Sequence, residues 1–212
     1  MWKTYKKTII LTIILILLPM VVGVALWEKL PLQMVTHWGV NNEPNGWMSR
    51  PMAVFGLPLI CAVLQVLCVI ATEKDKRKEN LHRKSVAMVL WIIPVVCWVC
   101  SAVTYGYVFY EKINVGLICC LLVGLLFIAL GNQLPRQMQN HMFGIRTSLT
   151  LSDEDVWRAS HRFGGWVMTL GGVVIVVCAL LQWWWVTLAV FVVMFAATLV
   201  YPRWYYNKRE KK

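Results

Sequence analysis

Charge is scarce in this sequence, acidic charge above all. Ten Asp and Glu stand against 21 Lys and Arg in 212 residues, and charged residues make up only 15% of the chain. Soluble domains carry about a quarter of their residues charged, so a soluble globular enzyme is excluded. An apolar fraction of 59% excludes a disordered chain as well. Six long segments hold no Asp, Glu, Lys, Arg or His: 8–27, 53–72, 86–108, 113–130, 164–181 and 185–202. Pumps and proton-coupled transporters usually place ionisable groups in such segments, and their lack counts against ion-coupled transport. H-E-x-x-H, G-x-S-x-G, a P-loop and a Cys/His cluster are all missing, so no metal, cofactor or catalytic site is expected. The seven cysteines lie inside the charge-free segments, where they read as small packing groups rather than a disulfide framework. Cys97-x-x-Cys100 has redox or metal spacing but no His or acid beside it on a helix. No internal repeat and no Gly- or Ser-rich linker divides the chain.

The segments run from 18 to 23 residues, and about 20 apolar residues cross a bilayer as a helix. The expected fold is all-α and polytopic, with six transmembrane helices. Eighteen of the 21 basic residues fall on one side of such an arrangement: three before the first span, six after the second, four after the fourth and five in the tail. The other side holds two, one and none. The positive-inside rule then makes both termini cytoplasmic, and the +11 balance is a topology signal before it is a nucleic-acid signal; direct nucleic-acid binding is not expected. Trp2, Trp27, Trp183–Trp185 and Trp204–Tyr206 flank the spans, where amphipathic rings meet headgroups. The first apolar run exceeds the roughly 7–15 residues of a signal-peptide core and reads as a retained span. The basic loop 73–85 is the natural boundary between a two-span module, 1–72, and a four-span module, 86–212.

Polar side chains within the spans are few: Thr12, Gln65, Ser101, Thr104, Asn114, Thr169, Thr187 and Thr198 are the main ones. Thr and Ser are expected to bond their own helix backbone. Gln65 and Asn114 are expected to bridge helices, and Ala102 and Gly106, or Gly165 and Gly172, to offer small faces for close packing.

Two loops remain to carry function. In the outer loop, 28–52, Pro31 ends the first helix, and Asn41-Asn42 and Pro44-Asn45-Gly46 are turn chemistry. Between and beyond them stand His37, Trp38 and Trp47, which read either as a partner-anchoring surface or as a headgroup belt. In the inner loop, 131–163, Ser152 is expected to cap a helix whose first turn holds Asp153, Glu154 and Asp155. That helix, to about Phe163, sets Trp157 and His161 on one face at i,i+4 and Glu154, Arg158 and Arg162 on another. Gly144 permits a turn before Ile145.

These loops resemble a known family, the SdpI-type bacterial immunity membrane proteins. Gly131-Asn132, Pro135, Asn140, Gly144-Ile145-Arg146-Thr147, Thr150-Leu151, Val156-Trp157 and His161-Arg162 match its pattern in order and spacing. The front loop is similar to a small domain of unknown function that commonly precedes it, through Leu30-Pro31, His37-Trp38 and Gly46-Trp47. Two positions depart: Ser148-Leu149 stands where relatives often carry Pro-Trp, and Ser160 replaces a Thr. Any role resting on that tryptophan therefore does not carry over. The resemblance implies a non-enzymatic protein of the bacterial plasma membrane that protects a cell against a secreted toxin peptide. It further implies a receptor that, with toxin bound, holds a transcriptional repressor at the membrane. On this reading His37, Trp38 and Trp47 meet the toxin outside. Asn132, Pro135, Asn140, Gly144, Ile145, Arg146, Thr147, Trp157, His161 and Arg162 shape or relay the inner response. The competing class is a membrane protein that binds or transports a lipid or small molecule and has no toxin partner.

Overall fold

A computed structural model of the protein describes residues 2–211. The side chains of Trp2 and Lys3, the first of them counted above among the flanking rings, lie outside the described residues. Each charge-free segment lies almost entirely within a helix: α1 (Trp2–Ala25), α2 (Leu57–Lys74), α3 (Arg83–Phe109), α4 (Val115–Gln133), and, after a short α5 (Ser148–Ser152), α6 (Glu154–Leu180) and α7 (Trp184–Glu210). Six of these, α2 together with the π-helical turn Met52–Gly56 that leads into it, are long and apolar enough to cross a membrane. The all-α, polytopic fold expected from the charge pattern is therefore the one observed. Its surface is inverted relative to a soluble protein. On α7, Trp185, Val193, Phe195 and Val200 are all more than 60% exposed, as side chains facing lipid would be.

The first loop adds a small antiparallel hairpin, β1 (Gln33–Trp38) paired with β2 (Pro44–Ser49). Asn42, at φ +62°, makes its turn. Pro44-Asn45-Gly46, read above as a turn, lies instead in β2. The register shifts beside His37 and Trp38 let the strand begin on a proline, which has no N–H to give the ladder.

The chain divides into two packing units: residues 1–73 with 87–116, and residues 74–86 with 117–212. This partition cuts across the modules 1–72 and 86–212, because α3 packs with the two helices before it.

In the first unit, prolines inside helices set the packing. Pro19 has no N–H for the carbonyl four residues back, that of Leu15. The Trp98 indole N–H on α3 donates to this oxygen at 2.9 Å. Pro94 likewise frees the Leu90 carbonyl, and the Gln65 amide on α2 donates to it at 3.0 Å and to the Thr12 hydroxyl at 3.0 Å. Each orphaned carbonyl is met from another helix, as an apolar solvent demands. Gln65 thus bridges helices as expected, and Thr12, Thr72, Thr187 and Thr198 bond their own backbones. The hairpin joins this unit through Met34, fully buried with Leu30, Ala53, Val54 and Tyr105. Arg50 donates to the carbonyls of Trp27 (2.6 Å) and Leu30 (3.2 Å) and stacks on the Trp27 ring. Asn42 accepts from the N–H of Val115 (2.8 Å), capping α4 from outside its own chain segment.

In the second unit α4 and α6 meet through glycine. A Cβ at Gly165 would lie 2.9 Å from the Gly131 carbonyl oxygen, and one at Gly172 2.7 Å from that of Gly124. The expectation for Gly165 and Gly172 holds, and their partners are two glycines at the same seven-residue spacing. α7 packs on α6 by the stacked rings of Phe163 and Tyr201, 4.0 Å between centroids, and by Met194 over Gly171.

Candidate functional site

The longest loop, 131–163, is folded around two aromatic residues of α6. The sequence places the helix start near Ser152, and the helix begins one residue later. Asp153 is the cap, its carboxylate accepting from the N–H groups of Asp155 (2.9 Å) and Val156 (3.0 Å). Ser152 instead gives its hydroxyl to the Leu149 carbonyl, since it ends α5. From Glu154 the helix continues without a break into the fifth span. Trp157 and His161 share one face, both 1% exposed or less, their rings stacked at 3.8 Å and 22°. On the other stripe Arg158 pairs with Glu154 at 2.5 Å, and Arg162 is exposed.

The hydrogen bonds of His161 define its form. Nδ1 lies 2.9 Å from the Trp157 carbonyl oxygen, which only accepts, so Nδ1 carries the proton. Nε2 receives the Ile145 N–H at 3.1 Å, so Nε2 carries none. The ring is a neutral imidazole with both nitrogens engaged. Gly144 has to be glycine here: its φ is +119°, and a Cβ would lie 2.0 Å from Nε2. Ile145 in turn fills the space over Gly164, where a Cβ would meet its Cδ1 at 2.4 Å.

The rest of the loop is held to this centre. The Trp157 indole N–H donates to the Gln137 carbonyl at 2.8 Å. Fully buried Asn140 accepts from the N–H groups of Met142 (2.9 Å) and Phe143 (2.7 Å) and donates to the Met138 carbonyl (2.8 Å). Thr147 caps α5 reciprocally with Thr150, whose hydroxyl also reaches the Ile145 carbonyl at 2.8 Å. The Arg146 guanidinium is exposed and donates to the His141 carbonyl. Pro135 lies with its ring over Gly165, and Asn132 is exposed on the last turn of α4. Ile145, Thr147, Thr150, Trp157 and His161 thus form one hydrogen-bonded centre, with Gly144 packed against it and Asn140 bracing residues 138–143, while Arg146, Arg162 and Asn132 present their side chains outward.

Sequence reasoning missed three residues that anchor the loop. Asp75 accepts from the His141 N–H at 2.9 Å and, two residues ahead of itself, from the Arg77 N–H at 2.8 Å. Gln139 accepts from Arg77 (2.6 Å) and donates to the Thr150 carbonyl (2.7 Å). Gln137, 4% exposed, donates to Ser85 and to the Gln133 carbonyl. The only signal was the Asp-x-Arg spacing in the basic loop, a side-chain-to-backbone turn. At the start of α6, Arg209 of α7 binds Asp153 and, at 3.3 Å, Asp155. That guanidinium, with the Val156 and Asp155 N–H groups, holds the Asp153 carboxyl below the usual carboxylate range.

Under residues 143–147 lies a partly open cavity of about 400 Å3, lined mainly by Phe, Leu and Met from α4, α6 and α7. The second candidate surface, on the hairpin of the first unit, is simpler. His37 is exposed, its Nδ1 2.5 Å from Asn45 Oδ1. Trp38 packs edge-on to Tyr107 at 5.3 Å. Trp47 is 56% exposed beside exposed Met48.

Residues 137–202 match the SdpI/YfhL protein family. The SdpI/YfhL segment opens at the residue whose carbonyl takes the Trp157 indole and contains the whole Gly144–Trp157–His161 centre. Residues 14–62 match a domain of unknown function, DUF1648, and this second match encloses the hairpin. The resemblance read from the two loops is thus the one the comparisons show. Over 199 residues the chain is 28% identical to "Immunity protein SdpI" of Bacillus subtilis (strain 168), with 92% of each chain covered. No solved structure matches the chain significantly.

Proposed function

We propose that this chain is a multi-pass immunity protein of the bacterial plasma membrane, acting by binding rather than by catalysis. The observation that carries this is likeness to an immunity protein along 92% of both chains, including both loops rather than one module. The charge asymmetry supports an outward-facing hairpin and a cytoplasmic SdpI/YfhL loop. In this arrangement a secreted toxin peptide is met by the exposed hairpin residues His37 and Trp47. Trp38 acts from beneath, by holding the hairpin on Tyr107.

The cytoplasmic face offers Arg146 and Arg162 as outward charges on a fixed scaffold. The proposal extends to signalling: in the toxin-bound state these residues hold a transcriptional repressor at the membrane. Such a relay requires two states with different affinity for the toxin.

The test is survival of toxin-sensitive cells that express the chain, with its amount in the membrane fraction confirmed by immunoblot. Protection lost in Trp47→Ala at equal expression supports the hairpin as the toxin surface. No protection by the unaltered chain against a cognate toxin overturns the immunity reading. Repressor in the membrane fraction only when toxin is present, and not with Arg146→Ala, supports the relay; a repressor that stays soluble removes it.

A further inference from the structure

The cavity beneath Gly144–Thr147 shares only Arg146 with the immunity reading, and its chemistry is specific. It lies wholly within the second unit. Its walls include Phe127 and Leu130 of α4 and Phe191 and Phe195 of α7, and its roof includes Ile145 and Arg146. The four wall residues belong to charge-free segments, so the walls stand at hydrocarbon depth. The roof is the loop that emerges from it. Arg146 is the charged residue on the lining. Thr198, a polar lining residue on α7, already gives its hydroxyl to the Met194 and Phe195 carbonyls. A ligand that fits must be apolar over nearly its whole length and anionic at the end beneath the loop.

The volume selects among such ligands. About 400 Å3 lies within the usual range of small-molecule sites, roughly 300–1,000 Å3. An α-helix with side chains is about 10–12 Å across and rises about 5.4 Å per turn. The cavity therefore admits less than a single turn of a peptide helix, but it suits an extended chain. Arg146 spends part of its five-donor fork on the His141 carbonyl. The remaining N–H groups are exposed and match a phosphate. Basic sites between membrane helices on the cytoplasmic side are where anionic headgroups gather.

We propose that this cavity is a lipid site: one acyl chain of an anionic phospholipid lies between α4 and α7, with its phosphate on Arg146. The site does not depend on the immunity reading, because occupancy is read without toxin.

The experiment uses the full chain in nanodiscs of mixed phosphatidylglycerol and phosphatidylcholine. A trace of either lipid carries a photoactivatable diazirine in one acyl chain, and labelled residues are mapped by mass spectrometry. The anionic probe is expected to label the cavity walls around Phe127 and Phe195 in preference to the zwitterionic probe. Unlabelled phosphatidylglycerol should displace it from the unaltered chain. Arg146→Gln should cut this labelling about fivefold, the effect of one basic group at a membrane surface, and Arg146→Lys should keep most of it. Leu199→Trp, at a half-exposed lining position, should block both probes at the walls while leaving labelling elsewhere on α7. Equal labelling by the two probes overturns the proposal, as does labelling spread evenly over α7 and indifferent to Arg146→Gln. Displacement by an added apolar peptide but not by lipid would assign the cavity to a peptide and also overturn it. Competition on the unaltered chain decides the matter even if a variant fails to fold.

Discussion

The two packing units solve one problem by opposite means. In the first, helices are joined by long polar side chains that reach to carbonyls stripped of their partners by Pro19 and Pro94. In the second, α4 and α6 are joined by removing side chains, so that Gly131 and Gly165, and Gly124 and Gly172, bring backbones into contact. Lipid explains why both work. Helices in a bilayer gain nothing from hiding apolar surface from each other, so they associate through close contact and through hydrogen bonds that lipid does not offer. The two means differ in what they tolerate. A hydrogen bond in a membrane interior is worth about 0.6 kcal/mol on average and at most about 1.7, whereas a side chain forced into a backbone contact costs about 1–3 kcal/mol or more. The first unit should therefore bend under substitution and the second should break.

The strongest way to break the comparison is Gly165→Leu. Its side chain must displace the Pro135 ring or the Gly131 carbonyl, both under 3.0 Å from a Cβ. A loss of about 3 kcal/mol or more is expected, read as a large fall in the folded fraction on heating in detergent. Gly144→Ala comes next. Left-handed strain of about 1–3 kcal/mol adds to the clash with His161, and limited proteolysis should cut faster within residues 137–147 while the six helices persist. In the first unit, Gln65→Leu should cost only about 1 kcal/mol. Its cause can be isolated: with Pro94→Ala in the same chain, the Leu90 carbonyl regains a helix partner and most of the loss should disappear. A Gln65→Leu effect equal to that of Gly165→Leu, or one that Pro94→Ala does not relieve, would end the contrast.

The smallest effect is electrostatic. Arg209 lowers the folded-state pKa of Asp153, so the pair contributes stability above the usual carboxylate range and loses it as pH falls through that lowered value. Asp153→Asn keeps a capping side chain and should flatten this acid limb. The change should shrink further in high salt because the pair is partly exposed.

The spans and the fold class could be read from the sequence because a charge within hydrocarbon is expensive enough to leave a visible gap. The centre of the fourth loop was legible through spacing: Trp157 and His161 had to share a helix face, and Gly144 had to permit an unusual turn. What it turned against was not legible. Beyond the Asp75-x-Arg77 turn, nothing local marks Asp75 or Gln139 as partners, since Asp75 meets His141 and Gln139 meets Arg77 from distant parts of the sequence. The cap fell to Asp153 rather than Ser152 because α5 ends on Ser152 and takes its hydroxyl. The hairpin escaped notice because Pro44 and Gly46 are residues that usually end strands, and a shifted register accommodates them. The proline rule for helices was available, but the donors that answer it, Trp98 and Gln65, lie 83 and 25 positions from the carbonyls they meet.

The unbroken length of α6 has a mechanical consequence. Its 27 residues make a rod of about 40 Å at 1.5 Å per residue, longer than the roughly 30 Å of hydrocarbon. Trp157, His161 and Gly165 follow one another at four-residue steps, with Gly172 seven further on, so all four face nearly the same way. A turn of the rod that withdraws His161 from Gly144 also swings Gly165 off Gly131. The loop and the glycine seam therefore work as the two ends of a single key, and neither end can be turned while the other stays in its ward.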